Sequence, residues 1–420
     1  MDEINTTTFF QGKSNNILYL SYDGMTDPLG QSQVLPYLIG LTKEGLNFHI
    51  ISFEKTHRFE QHRAHIQKMC DDNGIVWHPN KYSQKSPLVT TIWDVFKMKQ
   101  LTKKLHKKYN FHAIHCRSYI SAIVGLAMKK QFGTKFIFDM RGFWADERID
   151  GGLWDLKNPI FKTVYSYFKR KEIQYFKNAD YTISLTQNGK NEIESWPNFK
   201  ERIPKIQIIP CCVDLELFDP AKIDEVAKLE LKRTLGLKDS DYVLGYVGSI
   251  GTWYMLSEML DYFKVLKTTN TKAKFLFVTG EKPENIHKIV QQKEISRADV
   301  IITSCLHKDV PLNISIFDQS IFFIRPTFSK KASSPTKQGE IMAMGIPLVC
   351  NFGVGDTDGI VIEYKAGSVV TEFSDTQYLR SIQNPVEIDT NEMIKGANEF
   401  YSLKKGVEKY LFVYKEIYGY

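Results

Sequence analysis

Runs of apolar residues alternate along this chain with longer stretches in which apolar positions recur at helical spacing. The apolar runs are continuous, which is typical of parallel strands covered by helices on both faces. Helices are predicted between the strands, for example at 34–44 and 255–267. The pattern therefore predicts an α/β fold with parallel sheets. The predicted strands are 17–22, 48–53, 113–116, 135–139, 181–184 and 207–209, followed by 242–247, 275–279, 300–303, 321–324 and 347–350.

The pattern breaks between residues 210 and 220, where an apolar strand is followed by a charged helix and a new strand. The chain has 420 residues, more than a single domain usually contains. We therefore predict an N-terminal domain at 1–212, a C-terminal domain at 213–398 and a final helix at 399–420. This final segment carries Tyr, Phe and Lys residues at helical spacing.

Composition and charge narrow the classes of partner. An excess of 55 Lys and Arg over 48 Asp and Glu gives a net charge of +7, which favours anionic partners. No apolar stretch approaches the ~20 residues that span a bilayer, and the polar start at 1–16 is unlike a signal peptide. Six scattered cysteines lack metal-ligand spacing and indicate a reducing compartment. We expect a cytoplasmic protein without a metal site, free or held peripherally on the inner face of a membrane.

The segment S-P-T-K-Q-G-E-I-M-A-M-G-I-P at 334–347 carries the most chemical information. Ser334 suits a helix N-cap and Pro335 suits the first helical position. A helix N-terminus presents free N–H groups and partial positive charge to an anion such as phosphate. Lys337 adds a full charge, and Glu340 places a carboxylate one turn further along the same face. An anion site followed by a hydroxyl-binding site suits a nucleotide-sugar.

The run S-P-T-K-x-G-E-x-M-A-x-G-x-P resembles the donor-site signature of the GT-B glycosyltransferases, and of the retaining glycosyltransferase family 4 in particular. The resemblance extends from about Asn16 to the C-terminus. It implies two Rossmann-like domains that face each other across a cleft, with the C-terminal helix crossing back to the first domain. It also implies a retaining, metal-independent hexosyltransferase without a cofactor. Such an enzyme moves a sugar from a nucleotide-diphosphate sugar to a glycan, lipid-linked or other hydroxyl acceptor, in the synthesis of a surface polysaccharide or glycoconjugate.

The resemblance makes Lys337 and Glu340 catalytic residues, with Lys337 on the donor phosphates and Glu340 on the nucleotide ribose. Two parts of the family pattern are missing. Ala332 stands where the family's first glutamate is expected, and the Arg and Lys that many relatives carry after the second-domain glycine are absent, so Lys330 and Lys331 are candidates to replace that charge. The further donor-binding residues implied are Gly30, Gln31, Gly248, Ser249, Gly251, Thr252, Ser334, Pro335 and Thr336. For Gly30, an ordinary loop that needs a flexible glycine is the alternative.

Strand 135–139 ends in Asp139 and is followed closely by Arg141, at the sheet edge where open α/β folds bind ligands. Many relatives carry a histidine at the position of Asp139, near the reacting sugar carbon. The resemblance therefore makes Asp139 and Arg141 catalytic candidates, and a structural ion pair between them is the alternative. Arg117 and Trp144 are acceptor-side candidates. Arg117 could also face the donor phosphates, and each of the two residues could equally be structural.

Six lysines crowd one predicted helix. A basic face of this kind could dock on anionic lipid and bring the enzyme to a lipid-linked acceptor, and a solvated surface helix is the alternative. Nucleic acid is not expected, because no aromatic or recognition motif accompanies the lysines. The lysines are Lys97, Lys99, Lys103, Lys104, Lys107 and Lys108, and the predicted buried stripe of the same helix is Ile92, Val95, Met98, Leu101 and Leu105.

Two other functions stay open. A non-catalytic GT-B subunit that binds a nucleotide or a partner is favoured by the missing glutamate at Ala332 and the missing cationic pair. The presence of Gly30, Asp139, Lys337 and Glu340 together argues against it. A GT-B nucleotide-sugar epimerase would need carboxylates and a histidine placed for C–H proton abstraction, and the sequence identifies no such set.

Overall fold

The structure, a computed structural model, describes residues 14–83 and 87–420. Residues 1–13 of the predicted polar start lie outside this description. The chain forms two compact units. Unit 1 runs up to Pro210 and takes in Leu403–Tyr420, and unit 2 comprises Cys211–Ser402.

Unit 1 contains a parallel sheet whose strands are β1 (Asn16–Ser21), β2 (Asn47–Glu54), β3 (Val76–Lys81), β4 (Ala113–Arg117), β5 (Lys135–Asp139), β6 (Tyr181–Ser184) and β7 (Ile206–Ile208). The sheet has seven strands in the order β3-β2-β1-β4-β5-β6-β7. Every pairing is parallel, so the carboxyl ends of all seven strands lie at one edge. The central strands are fully buried, which explains their continuous apolar sequences.

Helices cover this sheet. Their bounds are α1 (Pro28–Gln33), α2 (Leu35–Thr42), α3 (Thr56–Asp72), α4 (Pro87–Tyr109), α5 (Ser118–Phe132), α6 (Trp144–Asp150), α7 (Pro159–Asn178), α8 (Gln187–Ser195) and the C-terminal helix (Leu403–Tyr418). The C-terminal helix packs closely on α2, where a Cβ at Gly40 would lie 2.5 Å from Val407. The ring of Tyr410 also meets that of Tyr37, with 5.3 Å between the ring centres.

Unit 2 contains a second parallel sheet whose strands are β8 (Tyr242–Val247), β9 (Ala273–Val278), β10 (Val300–Thr303), β11 (Gln319–Phe322), β12 (Leu348–Asn351) and β13 (Gly367–Val370). Its six strands have the order β10-β9-β8-β11-β12-β13. The helices are α9 (Glu225–Thr234), α10 (Leu256–Thr269), α11 (Pro283–Gln292), α12 (Val310–Ile314), α13 (Thr336–Ala343), α14 (Thr357–Glu363), α15 (Asp375–Gln383) and α16 (Thr390–Gly396). Side chains from both faces of the sheet form one apolar core.

The prediction of parallel α/β sheets is confirmed, and each predicted strand is present with ends shifted by at most about two residues. Two edge strands were missed. β3 contains His78, Pro79 and Asn80, and proline is tolerated there because an edge strand need not donate every hydrogen bond. β13 has only four residues and begins with a glycine, so its apolar run is too short to stand out.

The predicted start of α13 was wrong by one residue. The helix begins at Thr336, and Pro335 occupies the cap position in an extended conformation. Ser334 is therefore not the N-cap, and its hydroxyl accepts a hydrogen bond from the backbone N–H of Cys211 at 3.2 Å. The residue before a proline is biased away from helical geometry, which explains why Ser334 stays outside the helix. Gly345, with φ at +67°, follows the helix as expected.

The buried stripe predicted for α4 was partly wrong. Met98 and Leu105 are buried, whereas Ile92 is 72% exposed. The predicted positions are mostly three residues apart, and such a series drifts by about 60° per step around a helix of 3.6 residues per turn. The first and last members therefore point in different directions. Within the described part of the chain, we find no helix that combines the length and apolar character needed to cross a membrane.

Candidate functional site

Lys337, in the first turn of α13, is a buried cation enclosed by aromatic rings. Its residue is 7% exposed, and Nζ lies 3.6 Å from the ring centre of Tyr254 and 3.9 Å from that of Tyr246. The faces of both rings attract an ammonium group. No described residue offers Nζ a hydrogen-bond acceptor within reach. Burial lowers the pKa of Lys337 well below its usual value, so an anion at this place would supply the missing partner.

The glycine-rich turn after β8 lies next to this lysine. Gly248 has φ at +104°, which favours glycine, and a Cβ there would come within 3.4 Å of Lys337 Nζ. The hydroxyl of Tyr246 donates to the carbonyl of Ser249 at 2.6 Å, so the tyrosine that covers Lys337 also fastens the turn. Gly251 and Thr252, further along the same turn, are exposed. Four donor-binding candidates of the sequence analysis therefore lie in the turn beside Lys337.

A second lysine lies against the residue that follows this turn. Lys330 is buried, and its Nζ lies 3.6 Å from the ring centre of Trp253. Its carbonyl accepts a hydrogen bond from the N–H of Gly355, which ties the loop after β12 to the same region. Of the two lysines considered as replacements for the family's missing cations, Lys330 is thus close to the turn, whereas Lys331 lies over Phe328.

Glu340 has a partner that the sequence did not reveal. Its Oε1 lies 3.8 Å from Nε2 of His307, which follows β10 and has a side chain that is 58% exposed. The Glu340 carboxylate raises the pKa of His307. Because His307 belongs to no recognisable motif, only the tertiary structure reveals its approach to Glu340. We refer to Tyr246, Gly248, His307, Lys337 and Glu340 as the candidate donor site.

Residue 332, where the family's first glutamate is expected, is not accessible to a ligand. Ala332 ends a 3-10 turn at Phe328–Ala332 and is completely buried. Ser334, Pro335 and Thr336 follow it directly, and Thr336 opens α13. Any contact with the donor sugar must therefore come from residues other than 332.

The segment between β1 and α2, which includes α1, is held in place by several close contacts. The buried carboxylate of Glu54 accepts hydrogen bonds from the backbone N–H groups of Met25 and Thr26 at 2.8 and 3.1 Å. Gln31 donates from Nε2 to the carbonyl of Thr26 at 3.1 Å. A Cβ at Gly30 would lie 2.4 Å from the carbonyl oxygen of Gly24. Glycine is therefore required at Gly30 by a close backbone approach, rather than by flexibility.

Asp139 and His115 form a buried polar network with the C-terminal helix. Tyr410 donates its hydroxyl proton to Asp139 Oδ2 at 3.0 Å, and His115 Nδ1 lies 2.7 Å from the hydroxyl of Tyr414. His115 Nε2 lies 3.7 Å from Asp139 Oδ2. Burial works to raise the pKa of Asp139, but Arg141, His115 and Arg117 outweigh it and hold that pKa below its usual value.

Two arginines lie at the ends of the neighbouring strands β4 and β5. Arg117 is 4% exposed, and Arg141 Nη1 lies 3.9 Å from Asp139 Oδ1. Arg141 has φ at +57°, a conformation that non-glycine residues rarely adopt. The predicted alternative of an Asp139–Arg141 ion pair is thus present, although the two groups are too far apart for a good hydrogen bond.

Trp144, the other acceptor-side candidate, packs within an aromatic cluster. Its ring contacts those of Phe168, Trp154 and Tyr119, with ring centres 4.8, 5.4 and 5.9 Å apart. The guanidinium of Arg148 lies 4.7 Å from its ring centre. These contacts make Trp144 part of the packing of α6 and α7. Among the described residues, no group of three or more His, Cys, Asp or Glu side chains is arranged to hold a metal ion.

Comparison with known protein families shows which family models match this chain. The model of glycosyltransferase family 4 matches residues 34–217, and the model of glycosyl transferases group 1 matches residues 227–399. No curated protein sequence gives a significant match.

Solved structures share the fold at low sequence identity. A glycosyltransferase from Rickettsia africae is 17% identical, with a TM-score of 0.66, over 97% of this chain and 99% of that one. A sucrose-phosphate synthase from Thermosynechococcus elongatus is 15% identical, with a TM-score of 0.71, over 96% and 99%. HepE from Anabaena, in complex with UDP and glucose, is 11% identical, with a TM-score of 0.66, over 94% and 98%.

The predicted GT-B fold is thus confirmed, with one parallel Rossmann-like sheet in each unit. The two family models match successive segments that together include most of the chain. The chain therefore belongs to the GT-B glycosyltransferases of the family 4 type.

Proposed function

We propose that this glycosyltransferase takes its sugar from a nucleotide-diphosphate sugar, with the diphosphate at Lys337 and the ribose at Glu340. The observation that carries the proposal is the buried Lys337 ammonium, which lacks a hydrogen-bond acceptor among the described residues. Burying such a charge is costly unless a partner of opposite charge pairs with it, and an anionic ligand would be that partner. The fold shared with HepE, solved in complex with UDP and glucose, supports a donor of this class.

The proposed reaction retains the anomeric configuration and needs no metal. Negative charge develops on the leaving diphosphate as the bond to the sugar breaks. Lys337, the free N–H groups at the start of α13 and the Gly248 turn would stabilise that charge, which is the electrostatic part of catalysis. Lys330 would add a second cation near the turn. The acceptor would be a hydroxyl of a glycan or lipid-linked glycan in surface polysaccharide or glycoconjugate synthesis.

The first test is a thermal-shift screen with UDP, GDP, ADP, CMP and dTDP and their common sugar conjugates. A ligand that binds only the folded state raises the melting temperature by mass action. We expect one nucleotide diphosphate to raise it clearly, and its sugar conjugates then enter a transfer assay. If no nucleotide raises the melting temperature, the result favours the interpretation of a non-catalytic subunit. If the bound nucleotide-sugar is converted without any acceptor into an isomer of the same mass, the result favours the interpretation of an epimerase.

Glu340→Ala should weaken binding of the nucleotide identified in this screen by about 10- to 100-fold, because hydrogen bonds between a carboxylate and ribose hydroxyls are worth about 1.5–3 kcal/mol. Inorganic pyrophosphate has no ribose, so its affinity should not fall. Isothermal titration of both ligands separates the two effects. The matched control is Glu363→Ala on the exposed face of α14. Equal losses for nucleotide and pyrophosphate would contradict a ribose contact.

We also propose that α4 attaches the enzyme to an anionic membrane surface. The structure changes the residues expected to do this. The first half of the exposed face of α4 is apolar, with Val89, Ile92, Trp93 and Phe96 between 49 and 72% exposed. At spacings of three and four residues the same face continues into the lysine-rich second half, including Lys103, Lys104 and Lys107. An apolar segment beside a cationic one suits the boundary between lipid tails and anionic headgroups.

This attachment is tested by sedimentation with vesicles of phosphatidylcholine alone and with a third of phosphatidylglycerol. We expect several-fold stronger binding to the anionic vesicles at low salt, and a large loss in the double variant Trp93→Ala, Phe96→Ala. Leu229→Ala is the control, because Leu229 is a similarly exposed apolar residue on α9 of unit 2. Binding that is indifferent to phosphatidylglycerol and to the double variant would rule the surface out.

A further inference from the structure

At the ends of the neighbouring strands β4 and β5, two largely buried arginine side chains lie beside a single buried carboxylate. The side chains of Arg117 and Arg141 are 5 and 10% exposed, and Asp139 is the buried carboxylate between them. Burial lowers the pKa of His115 even beside Asp139, which disfavours a positive charge on its imidazole. Asp23 also approaches Arg117, but its side chain is 56% exposed and therefore screened by water.

Arg117 has hydrogen-bonding capacity that the protein does not use. Its Nε and Nη1 are buried and have no hydrogen-bond acceptor in good geometry among the described residues, although the guanidinium interacts with the hydroxyl of Tyr19. The nearest carboxylate to Nε, Asp23 Oδ2, is 3.7 Å away, which is too long for a hydrogen bond. Buried polar groups are nearly always paired in folded proteins, so two unpaired N–H groups on one guanidinium point to a missing partner. That partner must be an acceptor and is most favourable as an anion.

The surrounding residues hold the two arginines in place before any ligand arrives. In the parallel register of β4 and β5, Arg117 stands opposite Asp139. Asp139 is in turn fixed by Tyr410 and lies near His115, as described above. The left-handed backbone at Arg141 turns its side chain back toward Asp139. Asp139 therefore lies close to both arginines, and the Tyr410 contact ties it to the C-terminal helix.

We propose that Arg117 and Arg141 form an oxyanion subsite in unit 1 that binds a phosphate or carboxylate group of the acceptor. A guanidinium offers a planar fork of donors that matches both groups. The assignment to the acceptor rests on the proposed function, in which Lys337 of unit 2 binds the donor diphosphate. The acceptor is accordingly an acidic molecule, either a sugar carrying a phosphate or diphosphate or a sugar acid.

The test uses the full chain with its donor site saturated by the nucleotide from the thermal-shift screen. Glucose 1-phosphate and glucuronate are then titrated as the two oxyanion probes, with glucose as the neutral probe. We expect at least one oxyanion to bind and glucose not to bind. Arg117→Met should reduce oxyanion affinity at least tenfold, whereas Arg170→Met, on the exposed face of α7, should leave it unchanged. The probe that binds tells phosphate from carboxylate.

Several outcomes would overturn the subsite. Equal oxyanion affinity in the wild type and in Arg117→Met is one, and oxyanion binding that disappears when the nucleotide is present is another, because the anion would then belong to the donor site. If Arg117→Met does not fold, Arg141→Met takes its place, since that side chain is partly exposed. Lys337→Met keeps the two proposals apart: it should weaken nucleotide binding by about 10- to 100-fold while oxyanion binding at unit 1 persists.

Discussion

Replacing Lys337 with methionine is expected to weaken binding of the nucleotide diphosphate by one to two orders of magnitude without unfolding the protein. A hydrogen bond to a charged group contributes about 1.5–3 kcal/mol, which corresponds to a loss of about 10- to 100-fold. Methionine keeps most of the length of the side chain and still packs between Tyr246 and Tyr254. Because the buried charge has no acceptor among the described residues, its removal should leave the melting temperature equal or higher.

Isothermal titration and thermal denaturation of the same two preparations check both parts. The control is Lys264→Met on α10, a lysine whose ammonium is paired with Glu294 at the surface. An unchanged nucleotide affinity in Lys337→Met would contradict the assignment of the donor diphosphate to Lys337. A large fall in melting temperature would show that the ammonium stabilises the free protein, contrary to the argument from its missing acceptor.

Nucleotide binding at Lys337 is also expected to take up protons. Burial lowers the pKa of this lysine in the free protein, whereas a diphosphate beside it favours the ammonium and raises the pKa again. Between the two pKa values, the complex holds the proton and the free protein does not, so affinity falls as the pH rises through this window. Titration in two buffers with different ionisation enthalpies measures the uptake, which should disappear in Lys337→Met.

The second large effect concerns Gly339 in α13, the glycine of the signature. A Cβ there would lie 2.7 Å from Cβ and 2.8 Å from Cγ of Tyr401, and 2.9 Å from Val213. These atoms are close to the backbone and cannot move aside easily. Gly339→Ala should therefore lower the free energy of unfolding by about 1–3 kcal/mol, the usual cost of overpacking a core.

Gly359 in α14 provides the matched control. A Cβ added there meets nothing within 4 Å, so Gly359→Ala should stabilise unit 2 by about 0.5–1 kcal/mol through lower backbone entropy in the unfolded chain. Urea denaturation of the two variants and the wild type gives the order of stability. If Gly339→Ala were as stable as Gly359→Ala, the contact of α13 with Tyr401 would not be close in solution.

The different effects expected at these two glycines could not be predicted from the sequence. Both stand in helices and follow a polar residue, so propensity ranks their substitution by alanine equally. The signature singles out Gly339, but as part of a ligand site. Its packing against Tyr401 depends on how α13 meets the π-helical turn at Ala397–Tyr401, which no local pattern encodes.

The sequence alone determined the α/β pattern, nearly every strand and the position of the donor signature with Lys337 and Glu340. These features are local, because the periodicity of apolar positions and the capping preferences act over a few residues. It did not determine the partners that surround the signature. The tyrosine rings around Lys337, the approach of His307 to Glu340 and the hydrogen bond from Tyr410 to Asp139 join residues that are remote in the chain. Only the packing of strands and helices brings such residues together. The tertiary structure alone therefore decided which charged groups are buried and which of these lack a hydrogen-bond acceptor among the described residues.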